Sequence, residues 1–145
     1  MRVVIPHMGQ SYIPFRAIFE GLSIPYVIPP LSSNKTLSLA VANSPEMICL
    51  PFKLTAGNFI EGLEMGADTL LFTEAPGSCR LGRYFMTQKL ALKSLGYDFQ
   101  ALTLKEHSLR AFFRLFKTLS PRSSLWRILE VLRFALAKLK ALDTL

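Results

Sequence analysis

Short apolar runs recur along this chain at nearly constant spacing, and that spacing limits the folds open to it. The segments carrying Val3-Val4-Ile5, Tyr26-Val27-Ile28, Ile48-Cys49-Leu50, Leu70-Leu71-Phe72 and Ala101-Leu102 begin near Arg2, Ile24, Met47, Thr69 and Phe99. Their separations, about 22, 23, 22 and 30 residues, are the length of one strand plus one helix. Amphipathic stretches fill the gaps at roughly 11–22, 35–43, 53–66 and 81–95. Ser33 or Asn34 can cap the second of these, while Gly66 and Gly96 follow the third and fourth where a left-handed residue closes a helix. The pattern predicts an α/β fold: a parallel, doubly wound Rossmann-like sheet of four to five strands with right-handed crossovers and flanking helices.

After Leu104 the period changes. Ser108 can cap a helix whose Leu109, Phe112, Phe113 and Phe116 lie on one side, with Arg110, Arg114 and Lys117 on the other. Ser120-Pro121 ends it, and a second helix is expected over about Ser124 to Leu142, with apolar residues over a wide arc. Such an arc needs a surface to pack against, either this sheet or a partner. Residues 105–145 hold nine basic residues against three acidic ones, a surplus of six out of the chain's net +7. The expected organisation is a near-neutral Rossmann-like α/β domain over 1–104, carrying two cysteine loops, and a basic amphipathic helical extension over 105–145.

The extension's aromatics fall with its apolar residues and not among its cations, which suits packing better than base stacking, so no nucleic-acid partner is expected. With 145 residues, 50% apolar and 19% charged, the chain is long enough to bury about 68–70% of its unfolded surface. No apolar run reaches the ~18 residues of a transmembrane segment. The start, Met1-Arg2-Val3-Val4-Ile5-Pro6-His7, reads as a strand and not as a secretory signal. With two cysteines and no disulfide framework, a reducing, cytoplasmic setting is the expectation.

Cys49 and Cys79 are the only cysteines, and each lies in a Pro- or Gly-punctuated loop ahead of a segment patterned as a helix. If the strands are parallel, both loops open on the sheet edge where such folds place ligands. A thiolate at a helix N-terminus is favoured by the exposed N–H groups, and Lys53, Arg80 and Arg83 add positive charge nearby. Pro51, Gly77 and Gly82 allow tight turns close to a bulky group. Two readings stand at this point: a redox or metal site, or two buried cysteines acting as small hydrophobes. Their separation of 30 positions matches no compact zinc or ferredoxin spacing. The paired Cys-x-x-Cys of disulfide oxidoreductases is absent as well.

The loop His7-Met8-Gly9-Gln10-Ser11-Tyr12 follows the first strand and should reach the same edge, where His7, Ser11 or Tyr12 can hydrogen-bond a ligand or, for Ser11, cap the next helix. No Gly-x-Gly-x-x-Gly or phosphate-binding loop occurs, and no Ser/His/Asp or paired-carboxylate arrangement stands out. The candidate site residues are therefore Cys49 and Cys79 as metal ligands, with His7, Ser11, Lys53 and Arg80 around a cofactor.

Several strings along residues 1–104 carry a resemblance. They are Pro6-His7-Met8-Gly9-Gln10-Ser11-Tyr12, Tyr26-Val27-Ile28-Pro29-Pro30, Ser44-Pro45-Glu46 running into Cys49-Leu50-Pro51-Phe52-Lys53, Gly57-Asn58-Phe59-Ile60-Glu61, Gly66-Ala67-Asp68-Thr69, Gly77-Ser78-Cys79-Arg80-Leu81-Gly82-Arg83-Tyr84 and Leu95-Gly96-Tyr97-Asp98-Phe99. Together they resemble the acyl-CoA dehydratase activase-related proteins (CoA protein activases), relatives of the 2-hydroxyacyl-CoA dehydratase subunits. The resemblance implies an oxygen-sensitive 4Fe–4S cluster between Rossmann-like subdomains, with Cys49 and Cys79 as two of its ligands. It also implies low-potential electron transfer or reductive activation with an ATP-dependent activase or companion subunit, acyl-CoA as substrate class, and an anaerobic setting. Dehydratase subunits use three cysteines and are longer, and this sequence has no third cysteine. The expectations that follow are an N-terminal portion of a longer assembly, a cluster shared between two protomers, or a non-catalytic interaction module that binds no cluster.

Overall fold

A computed structural model describes residues 1–10, 12–74, 83–105 and 109–142. Its elements run β1 (Val3–Val4), α1 (Tyr12–Gly21), β2 (Tyr26–Val27), α2 (Asn34–Ala42), α3 (Leu50–Glu64), β3 (Thr69–Glu74), α4 (Phe85–Ser94), β4 (Gln100–Lys105), α5 (Leu109–Leu119) and α6 (Leu125–Leu142). The four strands form one all-parallel sheet in the order β2-β1-β3-β4, so the Rossmann-like α/β expectation holds, with two helices after the last strand. Parallel strands covered on both sides read as continuous apolar runs, as Val3-Val4-Ile5 and Leu70-Leu71-Phe72 do, whereas the edge strand β4 carries Gln100, Thr103 and Lys105. Val3 and Val4 are both fully buried but enter opposite cores. On one side Val3, Ile5, Leu71 and Leu104 pack against α1, α5 and α6. On the other, Val4, Leu70 and Phe72 pack against Phe59, Ile60 and Leu63 of α3 and Leu92 of α4.

The run Ile48-Cys49-Leu50 is not a strand, which corrects one of the five expected. It is too short to reach the sheet between its breakers: Pro45 turns the chain, with Ile48 N–H on the Pro45 carbonyl at 3.4 Å, and Pro51 falls in the first turn of α3. There the missing N–H costs nothing and the fixed φ suits a helix, so α3 begins at Leu50, ahead of the expected Lys53. Helix α2 therefore passes directly into α3. The two touch closely: a Cβ at Gly57 would collide with the Thr36 carbonyl oxygen, and Thr36 Oγ1 donates to Glu61 Oε2 at 3.0 Å. Ser33 caps α2 in a reciprocal capping box with Thr36. Gly66 and Gly96, at φ +86° and +85°, follow the C-terminal ends of α3 and α4 as expected.

Helices α5 and α6 return to the α1 face. Phe116, Ile128, Val131 and Ala135 join Phe19 and Leu71 in one core, and the Ser120 hydroxyl donates to the Leu22 carbonyl at 3.1 Å. Val131 sits where a side chain on Gly21 would go. No helix among the described residues is long and apolar enough to cross a membrane.

Candidate functional site

The sheet order fixes where a ligand would bind. From β1 the chain moves outward through α1 to β2, whereas from β3 it moves the other way through α4 to β4, and α1 and α4 lie on opposite faces. The crevice at the carboxyl ends of β1 and β3 is the switch point that doubly wound folds use for ligands. The loop after β1 carries His7, and residues 75–82, the segment between β3 and α4 that includes Cys79 and Arg80, follow β3 in the chain. Cys79, Arg80 and Ser11 lie outside the described residues.

Cys49 reaches the same end of the sheet by another route. Helix α3 runs antiparallel to the strands, because its last turn leads into β3 at their amino ends, where Asp68 meets Arg2. Its N-terminus therefore rises above the carboxyl edge. Asn58, level with the end of β1, accepts the His7 N–H on Oδ1 at 2.9 Å. Cys49 lies nine residues further up α3, roughly 13 Å at 1.5 Å per residue. It is the N-cap residue, in extended conformation (φ −67°, ψ 152°), exposed, and its side chain makes no capping hydrogen bond. The first turn of α3 holds no acidic residue, so this thiol stands at a helix end of uncompensated positive polarity. Lys53, one turn on, is half-buried and donates from Nζ to the Glu46 carbonyl at 3.3 Å, which braces the turn before Cys49.

His7 is placed lower. Its Nε2–H donates to the Pro29 carbonyl at 2.7 Å, and its ring stands edge-on to Tyr12 with centroids 5.0 Å apart. A carbonyl only accepts, so in the neutral ring Nδ1 keeps a lone pair; it is buried with no hydrogen-bond partner. The His7 backbone and ring thus tie the β1 loop to α3 and to the β2 loop. Ser44 Oγ, in the turn leading to Cys49, is also buried without a partner.

Three polar residues that the sequence pattern left unremarked shape this edge. Asn58, fully buried, also donates from Nδ2 to Ser32 Oγ at 3.3 Å. Gln88 of α4 donates from Nε2 to Thr55 Oγ1 at 2.7 Å and to the Phe52 carbonyl at 3.3 Å, joining α4 to the first turns of α3. Glu61 meets Thr36. A polar residue inside an apolar arc was the available signal for Asn58. Just past the undescribed loop, Tyr84 packs edge-on against Phe52 at 5.1 Å, three residues beyond Cys49. Below them a cavity of about 20 Å³, lined by Pro6, Met8, Thr55, Phe59, Phe72, Phe85 and Gln88, has room for one water molecule.

Comparison with protein-family models, with curated proteins and with solved structures finds no match to this chain. Among the described residues, no group of three or more His, Cys, Asp or Glu side chains could hold a metal ion. What the described edge offers is a single exposed thiol, a soft sulfur ligand. A bound metal centre would need the remaining ligands from Cys79 and from another chain.

Proposed function

We propose that this chain is a cluster-carrying redox module that supplies two thiolates, Cys49 and Cys79, to a 4Fe–4S centre completed by a second chain. The observation that supports this reading is the exposed, uncapped Cys49 thiol at the N-terminus of α3, above the carboxyl edge of a parallel sheet. Tyr84, packed on Phe52, brings the chain leaving the Cys79 loop against the same turn of α3. Cys79 lies five positions before Tyr84, a reach of at most roughly 18 Å. The N–H groups of α3's first turn offset the negative charge of a thiolate-ligated centre. Such a cluster, when bound, supplies one-electron transfer at low potential. The resemblance over residues 1–104 supplies the partner class, an ATP-dependent activase or companion subunit, and acyl-CoA as substrate class.

The test is iron and acid-labile sulfide analysis, with absorption and electron paramagnetic resonance spectra, after anaerobic preparation and reconstitution. Iron and sulfide in equal amounts, lost in Cys49→Ala and in Cys79→Ala while circular dichroism is unchanged, is the expected result. Protein that takes up no iron, or that keeps its spectrum in both single variants, overturns the proposal.

A further inference from the structure

Helix α6 carries a second apolar stripe that its own fold does not cover. Ile128, Val131 and Ala135 turn inward to α1 and the sheet. Beside them Leu125, Leu129, Leu132, Leu136 and Leu139 follow one another at intervals of four, three, four and three residues. At 100° per residue these five stay within about 40° of a single line, the a/d seam of a coiled coil. The seam runs about 21 Å along the helix. Leu125, Leu129, Leu136 and Leu139 are 59%, 40%, 63% and 36% exposed, and only Leu132 is half-buried. Scattered exposed leucines need no explanation, but five in heptad register on one straight helix form a contiguous face.

The flanks say what fits. The buried edge of the seam is occupied by α6's own core residues. The open edge carries Trp126, Arg133 and Lys140, one per heptad, at the positions that meet a partner's charges. Trp126 is 81% exposed, and Arg133 has no ion pair among the described residues. The one acidic residue of α6, Glu130, points away from the seam and pairs with Arg127 at 2.9 Å. A second copy of this helix would be a poor occupant. Antiparallel pairing sets like charges together at Arg133, and parallel pairing sets the cations against positions already buried in the core. A lipid surface needs apolar area and cations but no heptad register.

We propose that the α6 seam docks an amphipathic helix from another protein, one with leucine-type residues at a and d and with Asp or Glu facing Arg133 and Lys140. Because α6 is already ordered by packing on α1, only the incoming helix loses conformational freedom on docking. The surface lies on the opposite face of the sheet from α3, so the proposal is independent of any cluster at Cys49.

Trp126 is the chain's only tryptophan, so its emission reports directly on the seam. The probe is a synthetic three-heptad peptide with Leu at a and d and Glu at the flanking e and g positions, compared with the same peptide carrying Lys there. The Glu peptide should shift Trp126 emission to the blue and bind at least tenfold more tightly than the Lys peptide. Leu125→Asp/Leu136→Asp, changing the two most exposed seam residues, should weaken binding more than tenfold with the circular dichroism unchanged. Phe134→Asp, on the far side of α6, should leave binding as it is. Arg133→Glu should cut the preference for the Glu peptide about fivefold, the size of one exposed ion pair. Equal binding of both peptides, no binding, or binding that survives the double Leu variant overturns the proposal. So does an emission shift with phosphatidylserine vesicles in place of the peptide, or sedimentation as a dimer that Leu136→Asp dissociates.

Discussion

Gly57→Ala places two effects of opposite sign in competition, and the packing of α2 on α3 decides between them. In the middle of a helix, alanine is favoured over glycine by about 1 kcal/mol, so a free helix would gain stability. Here the new Cβ would run into the Thr36 carbonyl oxygen and lie 2.8 Å from Thr36 Cγ2 and 3.1 Å from the Thr36 carbonyl carbon. The obstacle is backbone, and it is held from both sides: Thr36 closes the α2 capping box and donates to Glu61. Overpacking of this kind costs about 1–3 kcal/mol, and a carbonyl that cannot yield puts the cost at the upper end. The net expectation is a loss of about 2 kcal/mol, or a Tm lower by roughly 4–8 °C for a chain of this size. Urea titration followed by circular dichroism reads it as a lower midpoint with an unchanged slope. A midpoint equal to or above that of the parent protein would refute the close approach of α2 to α3 and the reasoning built on it.

Cys49→Ser should raise stability by about 0.5–1 kcal/mol, since serine can make the N-cap hydrogen bond that the thiol does not, while iron binding is lost; a lower urea midpoint would refute this. Asn58→Leu strands the part-buried His7 N–H and should cost about 2–3 kcal/mol by the same titration, and an unchanged midpoint would refute the His7–Asn58 bond. The Asp68 carboxylate is pushed up by burial, but the Thr69 hydroxyl, the Arg2 N–H and the N-terminal ammonium outweigh this and hold it below its ordinary value of 3.8. Its folded pKa being depressed, the stabilisation is present above pH 3.8 and fades as pH falls through the folded value. Asp68→Asn should therefore shallow the acid limb of the stability–pH curve, and an unchanged limb would count against the role of Asp68 in joining β1 to β3.

Much of this architecture can be read directly from the residues. The strand–helix intervals from β1 to β2 and from β3 to β4, the Ser33 cap, the Gly66 and Gly96 stops and the break at Ser120-Pro121 all have local causes, and local causes are visible in a linear sequence. The segment Ile48-Cys49-Leu50 misleads because a three-residue apolar run has no intrinsic period. Only the prolines on either side, at 45 and 51, mark it as a turn entering a helix. The polar residues that build the sheet edge are less legible for a different reason. Asn58 meets His7 across 51 positions, and Gln88 meets Thr55 across 33. Neither pairing leaves a mark on its neighbours in the chain. The α6 seam falls between these cases: its heptad spacing is plain, but only the packing of α1 shows that those leucines are the ones left outside.

The two-residue strand β1 has a consequence for how this polypeptide comes off the ribosome. Val3 and Val4 end as the middle of the sheet, paired on one side with residues 26–27 and on the other with residues 69–70. Half of that central ladder stays open until residues 69–70 have been made, and the cover over Phe19 waits for Phe116 and Ile128. Until then the nascent chain presents bare valine and phenylalanine, and it is during this interval, before α5 and α6 close over the sheet, that aggregation or chaperone capture will compete with folding.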